Sequence, residues 1–280
     1  LKCHHPAEFS ASLLNSQPMG FYAPAQLIRD AKEHGVAVLP VDVNHSDWDC
    51  TIENGALRLG MRLVNGLGQP DAQRVRDAVG KHGVFSSMLA LWRASGAGAR
   101  AMRRLAAADA FNSMGLSRQQ SLWQARLLRD QSLPLFEALC CNTAVHEPIG
   151  NDGLDRLPCV APLRQVVLDY RTVGLSLRAH PVSFSRERLN SLGVLRCEAL
   201  KEPLRVPEGE VVIVAGLVLV RQRPGTANDV TFITLEDETG IANLVVWRRV
   251  YQKYRRAAGS RLIVATGRIQ RQGEVVHVVV

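Results

Sequence analysis

Two groups of residues in this chain have the types and spacing to grip a polyanion. The first is Leu63-Val64-Asn65-Gly66-Leu67-Gly68, followed by Gln69-Pro70-Asp71-Ala72-Gln73-Arg74-Val75-Arg76. An apolar residue, then Gly-apolar-Gly, then a helical pattern is the spacing of a helix-hairpin-helix. The glycines let the backbone turn tightly, and the amides that open the second helix, with the positive end of its dipole, form a phosphate site. Arg62, Arg74 and Arg76 place charge beside it. A plain helical turn with a glycine cap accounts for the same residues without a ligand, because Gly-x-Gly alone is a weak signal. The second group is Phe232-Ile-Thr-Leu235 with Ile241-Ala-Asn-Leu-Val-Val-Trp247. Period-two alternation turns Ile233 and Leu235 one way and Phe232 and Thr234 the other; Ala242, Leu244 and Val246 likewise oppose Asn243, Val245 and Trp247. Phe232 then offers a ring on which a base can stack and Asn243 an amide for a base edge, with Arg221, Arg223, Trp247 and Arg248 at the rim. In the competing reading Phe232 and Trp247 merely cover a barrel, Trp247 being the more structural of the two.

Other chemistry is poorly served. The six cysteines (Cys3, Cys50, Cys140, Cys141, Cys159, Cys197) form no Cys-x-x-Cys pair. His4, His5 and His34 lack a helical His partner, so no metal site is expected and the thiols read as reduced. Asp169, Ser176 and His180 hold the residue types of a hydrolytic triad, but nothing around them marks a nucleophile elbow or an oxyanion site. Glu236, Asp237 and Glu238 read as turn residues. No catalytic residue, metal ligand or cofactor is expected within these 280 residues.

The elements that must carry the two groups are legible in outline. Residues 6–15 read as a helix and Ala23–His34 as another, with Pro24 in its first turn and Gly35 closing it. Val36–Val43 alternates weakly as a strand, and Asn44, Ser46 and Asp47 offer oxygens for a turn. Leu105–Phe111, the turn Asn112–Leu116 and Ser117–Leu128 look like a degraded second hairpin, with Ser117 and Gln120 as a capping box. Its Phe111, Leu116 and Trp123 are expected in the core. Five strands, about 211–220, 230–235, 241–246, 262–268 and 275–279, with a helical insert at 249–258, follow the order of an OB-fold barrel.

Charge divides the chain in the same places. Residues 1–56 carry three Lys/Arg against seven Asp/Glu, 57–130 twelve against four, 131–202 eight of each, and 203–280 eleven against seven. Positive charge confined to two segments suggests two contacts with a polyanion. The fold class expected is multidomain α+β. A helical block (1–56) precedes the hairpin module (57–130), a connector with Pro134, Pro148, Pro158, Pro162 and Pro181 (131–202), and the all-β barrel (203–280). No apolar run nears the roughly 18 residues of a membrane span. The absence of an initiator Met at Leu1 and a close in or near a strand at Val280 read as a piece of a longer polypeptide.

Longer runs carry a resemblance. Asn15–Tyr22 (NSQPMGFY), His34–Asn44 (HGVAVLPVDVN), Ser46–Cys50 (SDWDC), Gly174–Pro181 (GLSLRAHP), Arg221–Gly225 (RQRPG) and Phe232–Trp247 (FITLEDETGIANLVVW) together resemble the C-terminal half of bacterial C-family DNA polymerases of the replicative alpha-subunit type. They look closest to the error-prone, damage-inducible branch. The resemblance covers nearly the whole chain. It implies that 1–56 is the end of a fingers-like domain. It also implies that the chain is the DNA-binding part of a nucleotidyltransferase engaged in translesion synthesis during DNA repair, in the cytoplasm. Palm aspartates that hold Mg²⁺ would lie upstream, so the chain alone is expected to be inactive. By the same resemblance Asn65, Gly66 and Gly68 map to the duplex-phosphate hairpin, and Phe232, Asn243, Arg221 and Arg223 to the surface for single-stranded template. Asn65 stands where a basic residue is expected in relatives. The partners implied are primer–template duplex, single-stranded template and other repair or replication proteins. Two other readings are a freestanding OB-fold module for single strands or tRNA, and a scaffold for repair proteins working through the acidic first block.

Overall fold

A computed structural model describes residues 2–20, 22–128, 160–224, 230–273 and 275–280. The chain forms two compact units, 1–177 and 178–280. Of the Pro-rich stretch expected as a connector, 131–202, residues 131–159 lie outside the described residues, and with them Cys140, Cys141 and Cys159.

The first unit opens with helices α1 (Pro6–Asn15) and α2 (Pro24–Glu33), both with proline in the first turn. Gly35 follows α2 at φ 78°. A small sheet comes next, with strands β1 (Val38–Leu39), β2 (Thr51–Glu53) and β3 (Ala56–Arg58) in the order β1-β3-β2. The strand expected over Val36–Val43 is only two residues long. Pro40 cannot donate to a ladder, and Asp42 turns to accept from the amides of Asn44 (2.9 Å) and Ser113 (3.0 Å). Among the described residues, five α-helices follow in this unit: α3 (Gln69–His82), α4 (Met88–Ser95), α5 (Ala99–Ala107), α6 (Arg118–Leu127) and α7 (Pro162–Thr172).

One core runs through this unit: Leu14, Leu57, Leu59, Met61, Met88, Leu91, Met102, Leu105 and Phe111 are all fully buried. The change of charge at 56/57 is therefore not a break in the core. Buried Arg118 ties α6 to α7 through the Asp169 carboxylate and the Gln165 carbonyl, while the Ser176 hydroxyl donates to the other Asp169 oxygen at 2.7 Å. Of the residue types of a hydrolytic triad, Asp169 is thus committed to Arg118 and to the Ser176 hydroxyl, and His180 accepts at Nδ1 from the Val182 amide.

The second unit begins with α8 (Arg186–Ser191) and β4 (Val194–Leu195), then closes a barrel from β5 (Val211–Gln222), β6 (Thr231–Glu236), β7 (Ile241–Val246), β8 (Leu262–Gln272) and β9 (Val275–Val279). Helices α9 (Arg248–Lys253) and α10 (Arg255–Ala258) stand between β7 and β8. The strand order is β4-β5-β6-β7-β9-β8, and β5 pairs with β8 to complete the circle. Val212, Val214, Ile233, Leu235, Leu244, Ile269 and Val278 fill the interior.

The Glu236–Glu238 turn does more than reverse the chain. Buried Asp237 accepts from the amides of Cys197 (2.9 Å) and Gly240 (2.9 Å) and from both the amide and hydroxyl of Thr239. Arg186 reaches Asp237 at 3.1 Å and also grips Glu238. Burial works against the Asp237 charge, but these hydrogen bonds outweigh it and hold the carboxyl below its usual range. The turn therefore fastens the segment before the barrel onto it.

Candidate nucleic-acid interface

At the first glycine pair the backbone does what the spacing demands. Gly66 sits at φ 78°, where a side chain is strained. Leu67 turns into the core, and its amide donates to the Val64 carbonyl at 3.1 Å. Gly68 is extended and caps α3. Among the described residues, none accepts from the amides of Gly68 or Gln69, which open the helix at an exposed corner. That is the arrangement a phosphate needs.

The flanking residues divide. Arg62 donates to the carbonyls of Asn15 (2.5 Å) and Gln17 (3.0 Å) and to Asp49 Oδ1 (2.6 Å), so it pins the α1–α2 loop. Asn65 is tied to the end of α7: its amide donates to the Thr172 carbonyl at 2.7 Å and its Nδ2 to the Arg171 carbonyl at 3.0 Å. Arg76 lies 3.4 Å from Asp47, and exposed Arg74 lies 3.1 Å from Asp71. The first helix of the motif is one 3-10 turn, Met61–Leu63.

The repeat of this hairpin is not where the sequence placed it. Asn112–Met114 is a 3-10 turn closed by Gly115, and Ser117 with Gln120 does form the capping box of α6. The geometric copy is Gly96-Ala97-Gly98, before α5. Gly96 has φ 62°, Ala97 is buried and Gly98 is extended and caps the helix. Alanine in place of Leu67 hides the pattern, yet the Gly-x-Gly spacing was there to find. Here the Gly98 amide donates to Asp71 Oδ1 at 3.3 Å, so a carboxylate from α3 already faces the second corner. In return Arg104 of α5 lies over the first: a Cβ added to Gly66 would stand 3.2 Å from its Nε. Exposed Arg104 was missed because only the fold brings it to Gly66. Trp123, expected in the core, is 52% exposed, whereas Phe111 is fully buried and Leu116 partly so.

The barrel face follows the expected alternation on β6 and β7. Ile233, Leu235, Ala242, Leu244 and Val246 point inward; Phe232, Thr234, Asn243 and Val245 are half-buried on the outside, and Trp247 is 52% exposed. Phe232 is registered with Val245, and Thr234 with Asn243. The Thr234 hydroxyl donates to Asn243 Oδ1 at 3.2 Å, which turns the asparagine's own donor to other use.

The arginine rim is different. A bulge between Val218 and Val220 shifts the alternation of β5, so Gln222 stands opposite Phe232 and Arg221 opposite inward-facing Ile233. Arg221 instead donates to the Ser260 carbonyl at the end of the α9–α10 insert. Arg223 is exposed just past the strand, and Arg248 is the first residue of α9. His277 joins the face beside Asn243, and Gln270 beside His277. Local alternation could not show this, because β9 reaches β7 by crossing over β8.

Among the described residues no three His, Cys, Asp or Glu side chains converge. Asp42, Asp169 and Asp237 are each committed to protein donors. No helix among them is long and apolar enough to cross a membrane.

Two family models match parts of this chain. The helix-hairpin-helix motif family matches residues 35–121, and the OB-fold nucleic acid binding domain family matches residues 199–280. Error-prone DNA polymerase 1 of Rhizobium meliloti (strain 1021) is 48% identical, covering 100% of this chain. The chain is related end to end to error-prone DNA polymerases. That of Sinorhizobium medicae (strain WSM419) is 47% identical, and that of Brucella abortus biovar 1 (strain 9-941) 46%, each again across 100% of this chain. The chain spans 27% of the first two polymerases and 26% of the third. Among solved structures, asparaginyl-tRNA synthetase from Pyrococcus horikoshii aligns at 22% identity over 30% of this chain and 20% of its own, with a TM-score of 0.25. At that score the likeness decides nothing. The similarity to error-prone polymerases covers the Gly66 corner and the Phe232 face alike.

Proposed function

We propose that the chain is the DNA-holding part of an error-prone DNA polymerase, at work in the cytoplasm in template-directed synthesis across damaged DNA. The hairpin corner at Gly66–Gly68, with Arg104 above it and Arg74 and Arg76 alongside, holds duplex phosphate. The face of Phe232, Asn243, Gln222 and Trp247 holds single-stranded template. What carries this reading is that both modules stand together in a chain that aligns end to end with error-prone DNA polymerases. Nucleotidyl transfer and its Mg²⁺ are assigned to other carboxylates of the full enzyme, which other repair or replication proteins would join.

The test uses the purified chain, a primer–template, nucleotides and Mg²⁺. Binding without primer extension is expected, with affinity falling steeply as salt rises, because counterions released from phosphate drive the association. Extension by the chain alone would overturn the assignment of chemistry elsewhere. A strong preference for tRNA over primer–template would favour the freestanding RNA-binding module instead.

A further inference from the structure

The α9–α10 insert carries charge that the site described above does not use. From Trp247 to Arg261 the chain reads WRRVYQKYRRAAGSR, six Lys/Arg with no Asp or Glu. Arg249, Lys253, Arg255, Arg256 and Arg261 are all exposed. Among the described residues none of these five forms an ion pair. Of the three aromatic residues among them, Tyr251 packs partly buried against the barrel core, while Trp247 and the 54% exposed Tyr254 face outward, with Lys253 Nζ 5.2 Å from the Tyr254 ring centre. Cations interleaved with exposed rings suit a flexible strand of phosphates and bases.

The insert is fixed to the end of the barrel where Phe232 lies. At its start, Trp247 continues the outward row of Asn243 and Val245, and Val245 is registered with Phe232. At its finish, the Val218 amide donates to the Arg261 carbonyl at 2.8 Å, and Arg221 donates to the Ser260 carbonyl. The strand face therefore runs through Trp247 into the basic helices without an acidic residue between them.

We propose that single-stranded DNA lying across Phe232 continues past Trp247 onto Arg249, Lys253, Arg255 and Arg256, so that the insert lengthens the barrel's site. Charge complementarity selects the occupant: five exposed cations face solvent, and a polyphosphate chain is the partner that neutralises all of them. This rests on the reading of the Phe232 face as a single-strand site, and the test separates the two.

Fluorescence anisotropy of the full 280-residue chain is measured with thymidine oligomers of about 6 and about 15 nucleotides, lengths that bracket one and several contacts on such a barrel. The quadruple variant Arg249→Ala/Lys253→Ala/Arg255→Ala/Arg256→Ala changes only exposed side chains. It is expected to weaken the long oligomer about tenfold or more and to lower its salt slope by about 2 to 3, while the short one changes less than about twofold. Phe232→Ala should weaken both lengths. Unchanged binding of the long oligomer by the quadruple variant, with Phe232→Ala still harmful, would overturn the extension and leave the sheet site standing. Equal weakening of both lengths by the quadruple variant would reduce the insert to bulk charge and overturn it too. Loss in the quadruple variant with no effect of Phe232→Ala would sink the sheet site and the continuous path together.

Discussion

Arg62 and Arg104 show how two arginines of one unit take different work. Arg62 spends its donors on Asn15, Gln17 and Asp49, whereas Arg104 lies exposed over Gly66. Arg104→Ala is therefore expected to weaken duplex binding by about 1 kcal/mol or more, as the loss of one charge-assisted phosphate contact does, with thermal stability unchanged. Arg62→Ala should instead lower the melting temperature, because it frees two carbonyls and a carboxylate that now share one guanidinium; titration with duplex DNA and a thermal melt on each variant separate the roles. On the barrel, Phe232→Ala should cost about 1–3 kcal/mol of single-strand affinity with the fold intact. Equal affinity would assign the ring to barrel cover. Phe232 and Asn243 were legible because strict alternation placed them. Arg104 was not, since its place depends on α5 packing back against the α3 corner.

At the scale of elements, the Asp237 turn makes the second unit sensitive to acid. Its folded pKa is depressed, so its contribution is fully present above the unfolded value of about 3.9 and is lost as pH falls through that value toward the folded one. Unfolding of the barrel followed from neutral pH to pH 3 should show stability falling most steeply below about pH 4, and Asp237→Asn should flatten that fall while lowering stability at neutral pH. A barrel equally stable across this range would contradict the role given to the turn. Helix ends were legible where chemistry is local: Pro24 and Gly35 bound α2, and Ser117 with Gln120 caps α6. The bulge at Val218–Val220 was not, since nothing in a run of β-branched residues marks where one extra residue enters. That single bulge moved the rim from Arg221 to Gln222. Likewise Ala97, small where Leu67 is large, concealed the second hairpin.

Across the whole molecule, charge alone pointed to two separate contacts with a polyanion, and the two units each carry one candidate surface. Composition could not reveal that Asp71 occupies the second hairpin corner, leaving the first as the open one. The most direct test of the account is a binding cycle with wild type, Arg104→Ala, Phe232→Ala and the double variant, each titrated with blunt duplex and with single-stranded DNA at fixed salt. The account predicts that Arg104→Ala weakens duplex binding alone, Phe232→Ala weakens single-strand binding alone, and the double variant shows both losses undiminished. Equal loss on both ligands from either substitution, or no loss from both, would contradict it.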